Sequence, residues 1–218
     1  MIPLGDESRR TSSFPVVTAS IVAVNAGVFL LELANGDAFV TRWSVVPNVV
    51  AHGRHLETIL TAMFMHASWS HIIGNMVFLW AFGPEMEDAM GGFRYLAFYL
   101  LGGLAAFSAQ ILADVSSSIP NLGASGAIAA VMGGFMITYP RDRIRTLLFL
   151  GWFVQVTFIP AVVLIGFWFL TQLIEIGVVS PSDSGGVAYL AHVGGLVFGA
   201  ATARLFEGPN VSGFEHTE

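Results

Sequence analysis

The charges of this chain fall in short clusters, and the stretches between them are apolar for long enough to cross a bilayer. Only 11% of its 218 residues are charged and its mean hydropathy is +0.72. A soluble domain carries roughly a quarter of its residues charged, so lipid is the expected solvent. A helix needs about 20 apolar residues to span the hydrocarbon, and six stretches approach that: 14–34, 67–86, 95–112, 123–139, 160–177 and 187–206. The expected fold class is therefore an all-α membrane protein, a six-transmembrane-helix bundle. Residues 1–13 form a polar N-terminal segment, 14–206 the span-bearing domain and 207–218 a polar tail. Residues 35–65, with Arg42, Trp43, Pro47 and Arg54, are expected to be a loop with short interfacial pieces, since Trp and Arg suit the headgroup level. The apolar run 146–177 is too long for one span; Gln155 and Pro160 divide it into an interfacial stretch and the fifth span. The first apolar run is longer than a signal-peptide core, so it is expected to be a retained span.

Arginine placement orients the bundle. Every basic residue is arginine. With the N-terminus inside, Arg9, Arg10, Arg94, Arg141, Arg143, Arg145 and Arg204 are cytoplasmic, and only Arg42 and Arg54 lie outside, which is the bias of the positive-inside rule. Both termini are thus expected in the cytoplasm. The net charge of −6 and the lack of a basic stripe exclude nucleic acid as a partner. Without cysteine, disulfide and thiol chemistry are excluded as well.

Spans two, four and six then run in the same direction, from outside to inside, and each carries polar residues near its outer end. His71 and Asn75, four apart, share one face of span two. Ser125 opens span four inside Gly123-Ala-Ser-Gly126, and His192 lies one to two turns into span six. Span four is short for a 30 Å core, so its serine-bearing end is expected to sit below the outer surface, around a protein-lined wet cavity. Small residues recur every four positions at Gly126, Ala130 and Gly134, and again at Gly195, Gly199 and Ala203, faces that let helices touch backbone to backbone. Docking them would bring the Ser125 hydroxyl to the His192 imidazole. Serine becomes a nucleophile when a neighbouring base takes its proton, and histidine suits that task. Asn75, His71 and the Ser125 backbone N–H are candidate donors to an oxyanion. No carboxylate accompanies His192 in its span, so the pattern is a dyad. His66 and His71 lack the H-E-x-x-H pattern of a zinc site, and no metal or cofactor is expected. His52, His55 and His216 read as solvated loop or tail residues.

These motifs resemble the rhomboid intramembrane serine proteases. The matching pieces are His66-x4-His71-x3-Asn75, Gly123-Ala124-Ser125-Gly126 and Ala191-His192-x2-Gly195-x3-Gly199; Gly83-x3-Glu87 and Ile159-Pro160-Ala161 look like the bacterial and archaeal branch. The resemblance implies that Ser125 is the nucleophile, His192 the general base, and His71 with Asn75 the oxyanion donors. It also implies substrates that are single-span membrane proteins, cut within or beside their transmembrane segment, without cofactor, in a prokaryotic cell membrane. Spans two and five would be the doorposts for lateral entry, with Phe78 and Trp168 supplying bulk at the seam. Some relatives carry a tyrosine one turn after the nucleophile, stacked on the catalytic histidine; here that place is Ala129, so other packing must hold His192. The competing classes are a non-proteolytic rhomboid-like protein that binds membrane clients, and a small transporter or channel. The first would disrupt the G-x-S-G or lose the histidine, and the second would spread ionisable residues through the membrane depth.

Overall fold

The computed structural model describes residues 1–6, 11–151, 153–178 and 189–208. Arg9, Arg10, the expected loop 180–186, His216 and the tail beyond 208 lie outside the described residues. In chain order the elements are β1 (Ile2–Asp6), α1 (Val16–Trp43), α2 (Pro47–Ala51), α3 (Thr58–Thr61), a 3₁₀ turn (Ala62–Phe64), α4 (Trp69–Met90), α5 (Gly92–Ala113), α6 (Ser125–Thr138), β2 (Arg143–Leu150), β3 (Phe153–Pro160), α7 (Ala161–Val178) and α8 (Tyr189–Phe206). Among the described residues, three helices, α1, α5 and α8, are long and apolar enough to cross a membrane.

The centre of the molecule is α6. From Gly126 to Phe135 every residue is buried, while the surrounding helices turn large apolar side chains outward, among them Leu30, Trp80, Leu101, Phe167 and Val197. An apolar exterior around a packed apolar centre is the arrangement that lipid permits and water does not. Small residues allow the inner contacts. A Cβ at Gly195 would collide with the Gly126 carbonyl oxygen, and one at Gly199 with that of Ala130. Lower down, a Cβ at Gly134 would stand 3.3 Å from the Ala203 Cβ. The two small faces are thus pressed together over their whole length.

Polar residues in α1 repeat every seven positions, at Thr18, Asn25 and Glu32, and all are buried on the inward stripe. Thr18 ends in a cap supplied from elsewhere. The Glu87 carboxylate of α4 accepts from the backbone N–H groups of Val17 (2.9 Å) and Thr18 (2.7 Å) and from the Thr18 hydroxyl (2.8 Å). A carboxylate there satisfies the open N–H groups of α1 and complements its dipole. One turn earlier, a Cβ at Gly83 would lie 2.7 Å from the Tyr95 hydroxyl and 2.9 Å from Thr18 Cγ2. The Gly83-x3-Glu87 pair therefore docks the start of α1 on α4.

One expectation needs correction. The chain is not all-helical: the stretch before α7, expected to be interfacial, is the hairpin β2–β3, and β1 joins it as a third antiparallel strand in the order β1-β2-β3. The segment is rich in β-branched and aromatic residues, Ile144 and Thr146 point inward between exposed Arg143 and Arg145, and Gly151 turns the hairpin at φ +62°. Residues 2–6 thus belong to a sheet and are not merely a polar lead. The helical path of α1 breaks at Gly36, whose φ is +67°, and a second, shorter helical piece runs on to Trp43.

Candidate active site

Ser125 is the first residue of α6, and the backbone entering it is held by main-chain bonds to the segment after α1. Val45 and Asn121 exchange a pair of N–H···O=C bonds (2.9 and 2.7 Å), and the Gly123 N–H donates to the Ala62 carbonyl (2.9 Å). Gly123 adopts φ +134°, which disfavours any side chain, and a Cβ there would also meet His71 Cε1 and Nε2 at 3.0 Å. The same point lies 3.5 Å from Ser125 Oγ. Gly123 therefore lets the His71 ring and the serine hydroxyl share one small space.

Across from α6, His192 of α8 is buried, and its Nε2 lies 2.6 Å from Ser125 Oγ. The contact follows from the small faces below: Gly195 sits against Gly126 one turn along, which sets α8 at backbone distance from α6. As the opening residue of a helix, Ser125 also keeps a backbone N–H that no intrahelical carbonyl takes.

From α4 come the candidate donors. The Ala67 N–H donates to His71 Nδ1 (3.4 Å), which leaves the proton on Nε2, the atom facing Gly123. Asn75, one turn on, is buried, and its Nδ2 has no hydrogen-bond partner among the described residues. A buried amide donor without a partner is costly, and it is a group able to receive a developing negative charge. His66 lies edge-on to His71, with ring centroids 5.1 Å apart, in the segment between the 3₁₀ turn and α4. Burial, then the nearby His71, pushes the His66 imidazole down to about 3, so it stays neutral. Its backbone N–H donates to both oxygens of Glu32 (3.1 Å each), tying α1 to the entry of α4.

Sequence reasoning did not identify what surrounds the His192 ring. Trp168 of α7 lies 5.5 Å from it, centroid to centroid, at 46°, and Tyr189 of α8 lies 6.2 Å away at 86°. Tyr189 could have been found, because it precedes His192 by three positions and shares its helix face. Trp168 also approaches Phe78 of α4, at 6.5 Å. One indole thus bridges α4, α7 and α8.

The chain is similar to curated proteins over most of its length. It is 29% identical to RHOMBOID-like protein 12, mitochondrial, of Arabidopsis thaliana, across 88% of this chain and 59% of that protein. It is 27% identical to Rhomboid protease GluP of Bacillus subtilis, across 96% of this chain and 39% of that one. A shorter match, 30% identical over 46% of this chain and 27% of the relative, joins it to Presenilin-associated rhomboid-like protein A, mitochondrial, of Danio rerio. The chain spans little more than half of the first relative and well under half of the other two. The Rhomboid domain profile matches residues 53–208, which takes in α4 to α8 and every residue of the site. This multi-pass integral membrane protein belongs to the rhomboid family.

Proposed function

We propose that the protein is an intramembrane serine endopeptidase that cuts single-span membrane proteins within or beside their transmembrane segment. The observation that carries the reading is the 2.6 Å contact between Ser125 Oγ and His192 Nε2 at the mouth of α6. In this reading His192 takes the hydroxyl proton as Oγ attacks the scissile carbonyl. The tetrahedral oxyanion is received by the Ser125 N–H, His71 Nε2–H and Asn75 Nδ2. His192 then protonates the leaving amine, and a water activated by the same imidazole releases the acyl-enzyme.

The bundle is read as six spans with both ends in the cytoplasm, α1, α4, α5, α6, α7 and α8, in a prokaryotic cell membrane. At 14 residues α6 is about 21 Å long, short of a core of about 30 Å, so Ser125 lies beneath the outer surface. The Bacillus subtilis relative carries the name of a protease, which supports the reading. The rhomboid-like names of the mitochondrial relatives leave client binding without cleavage as the alternative.

A serine-directed fluorophosphonate separates the two. The parent protein is expected to be labelled and to cleave a transmembrane substrate in proteoliposomes. Ser125→Ala and His192→Ala should each abolish cleavage, and the double variant should be no worse than either, because groups acting as a unit are not additive. Cleavage by purified Ser125→Ala would refute the serine mechanism.

A further inference from the structure

A carboxyl group buried in a membrane span is costly, and what it binds is the first clue to its use. Glu32, on the inward stripe of α1, is 4% exposed and takes no part in the reaction above. Both of its oxygens accept from the His66 backbone N–H (3.1 Å each). One turn back on the same face, Phe29 meets Trp69 edge-on, with centroids 4.9 Å apart. The two side chains grip the start and the end of the segment that leads into α4. That segment is extended where it leaves Met65 (ψ 155°) and where it reaches Ser68 (φ −162°). Its N–H groups therefore need acceptors from outside a helix. Two consecutive ones go separate ways, that of His66 to Glu32 and that of Ala67 to His71 Nδ1 (3.4 Å).

The backbone of His71 is set by its own helix, since its N–H donates to the Ser68 hydroxyl at the cap (3.2 Å). Its ring can still turn about χ1 and χ2. Two neighbours of that ring, the Ala67 N–H and the edge-on His66 imidazole 5.1 Å away, both stand on the segment that Glu32 holds. The setting of the ring decides where Nε2 points, and Nε2 is the atom at Gly123 beside Ser125 Oγ. We propose that Glu32 is a positioning residue for His71: by holding the His66 N–H it fixes the His66–Ala67 peptide that turns His71 Nε2–H toward the oxyanion. Glu32 acts from α1, outside residues 53–208 matched by the Rhomboid domain profile. The proposal rests on the protease reading above.

The test uses the full chain in detergent with a soluble peptide substrate, which needs no lateral entry. Glu32→Ala removes the acceptor and should lower kcat about tenfold with KM little changed, because a misaimed oxyanion donor weakens transition-state binding alone. Glu32→Gln keeps an acceptor oxygen at the same reach and should restore most of the rate. Should the alanine variant fold poorly, Glu32→Leu removes the acceptor while filling the space. In a His71→Ala background Glu32→Ala should cost less than about twofold further, since residues that act through one group are not additive. Parent kcat in folded Glu32→Ala or Glu32→Leu, or the same loss repeated on top of His71→Ala, overturns the positioning role and leaves Glu32 as a structural tie. Failure of a fluorophosphonate to label the parent protein is a different result, and removes the protease reading itself.

Discussion

Asn75 is the residue at which glue and chemistry make opposite forecasts. An asparagine in a membrane helix ordinarily bonds across to a neighbour, and such bonds average below about 1 kcal/mol. Here Nδ2 is buried without a partner among the described residues, one turn from His71 on the same helix face. A donor held for an oxyanion is worth on the order of 2–4 kcal/mol in the transition state. Asn75→Ala is therefore expected to lower kcat by roughly 10- to 1,000-fold while moving the melting temperature little. Loss of folded protein, with full activity in what remains, would make Asn75 structural. At this scale the sequence was informative, because Ser125, His192, His71 and Asn75 stand at helix positions whose face follows from spacing. The neighbours of the His192 ring did not follow, because the tilt of α7 decides whether Trp168 faces lipid, α4 or α8.

Helices α6 and α8 form the element pair on which the site depends. Their contact is backbone to backbone, and the place where a Cβ at Gly199 would go is occupied by the Ala130 carbonyl oxygen. Backbone cannot rotate aside as a side chain does, so Gly199→Val must separate the helices, at a cost of at least about 1–3 kcal/mol. His192 lies two turns from Gly199 on α8, and a separation there lengthens its reach to Ser125. The expected outcome is a lower melting temperature together with loss of fluorophosphonate labelling. An equally destabilising change on a lipid-facing side chain, Val197→Gly, should lower stability while sparing the labelling of folded protein. Small residues at four-residue spacing made this contact readable. The sheet was not readable in the same way, since an apolar run divided by Gln155 and Pro160 fits an interfacial stretch as well as a hairpin. What separates them is the inward Ile144 and Thr146, the turn at Gly151 and the pairing of β2 with β1, more than 130 positions away in sequence. Nor was the partner of Glu87 visible, because a cap given by one helix to another leaves no local spacing.

At the scale of the whole molecule, the protease reading asks how a helix lying in lipid would reach a serine beneath the surface. The path proposed is the seam between α4 and α7, and the way α7 is tied favours it. The base of α7 is firmly held. The Ala161 N–H donates to the Asp142 carbonyl (2.8 Å), Ala161, Leu164 and Ile165 are buried, and β3 runs directly into the helix from the sheet. Beyond that first turn and a half the side chains of Phe167 and Leu170 are exposed, and Trp168 and Phe169 are only half-buried. A helix fixed at one end and lightly held above it can tilt, and such openings commonly limit turnover. Phe78 is the better probe of this motion. Trp168 contacts Phe78 and His192 alike, so its removal would loosen the seam and the base together. Phe78→Ala removes bulk from the α4 side and leaves the indole against His192. It is expected to speed cleavage of a transmembrane substrate in proteoliposomes and to lower the melting temperature, with a smaller gain for a soluble peptide that need not enter sideways. Equal or slower transmembrane cleavage, at matched folded protein, would remove the α4–α7 seam from the entry path and leave Phe78 as packing between two helices.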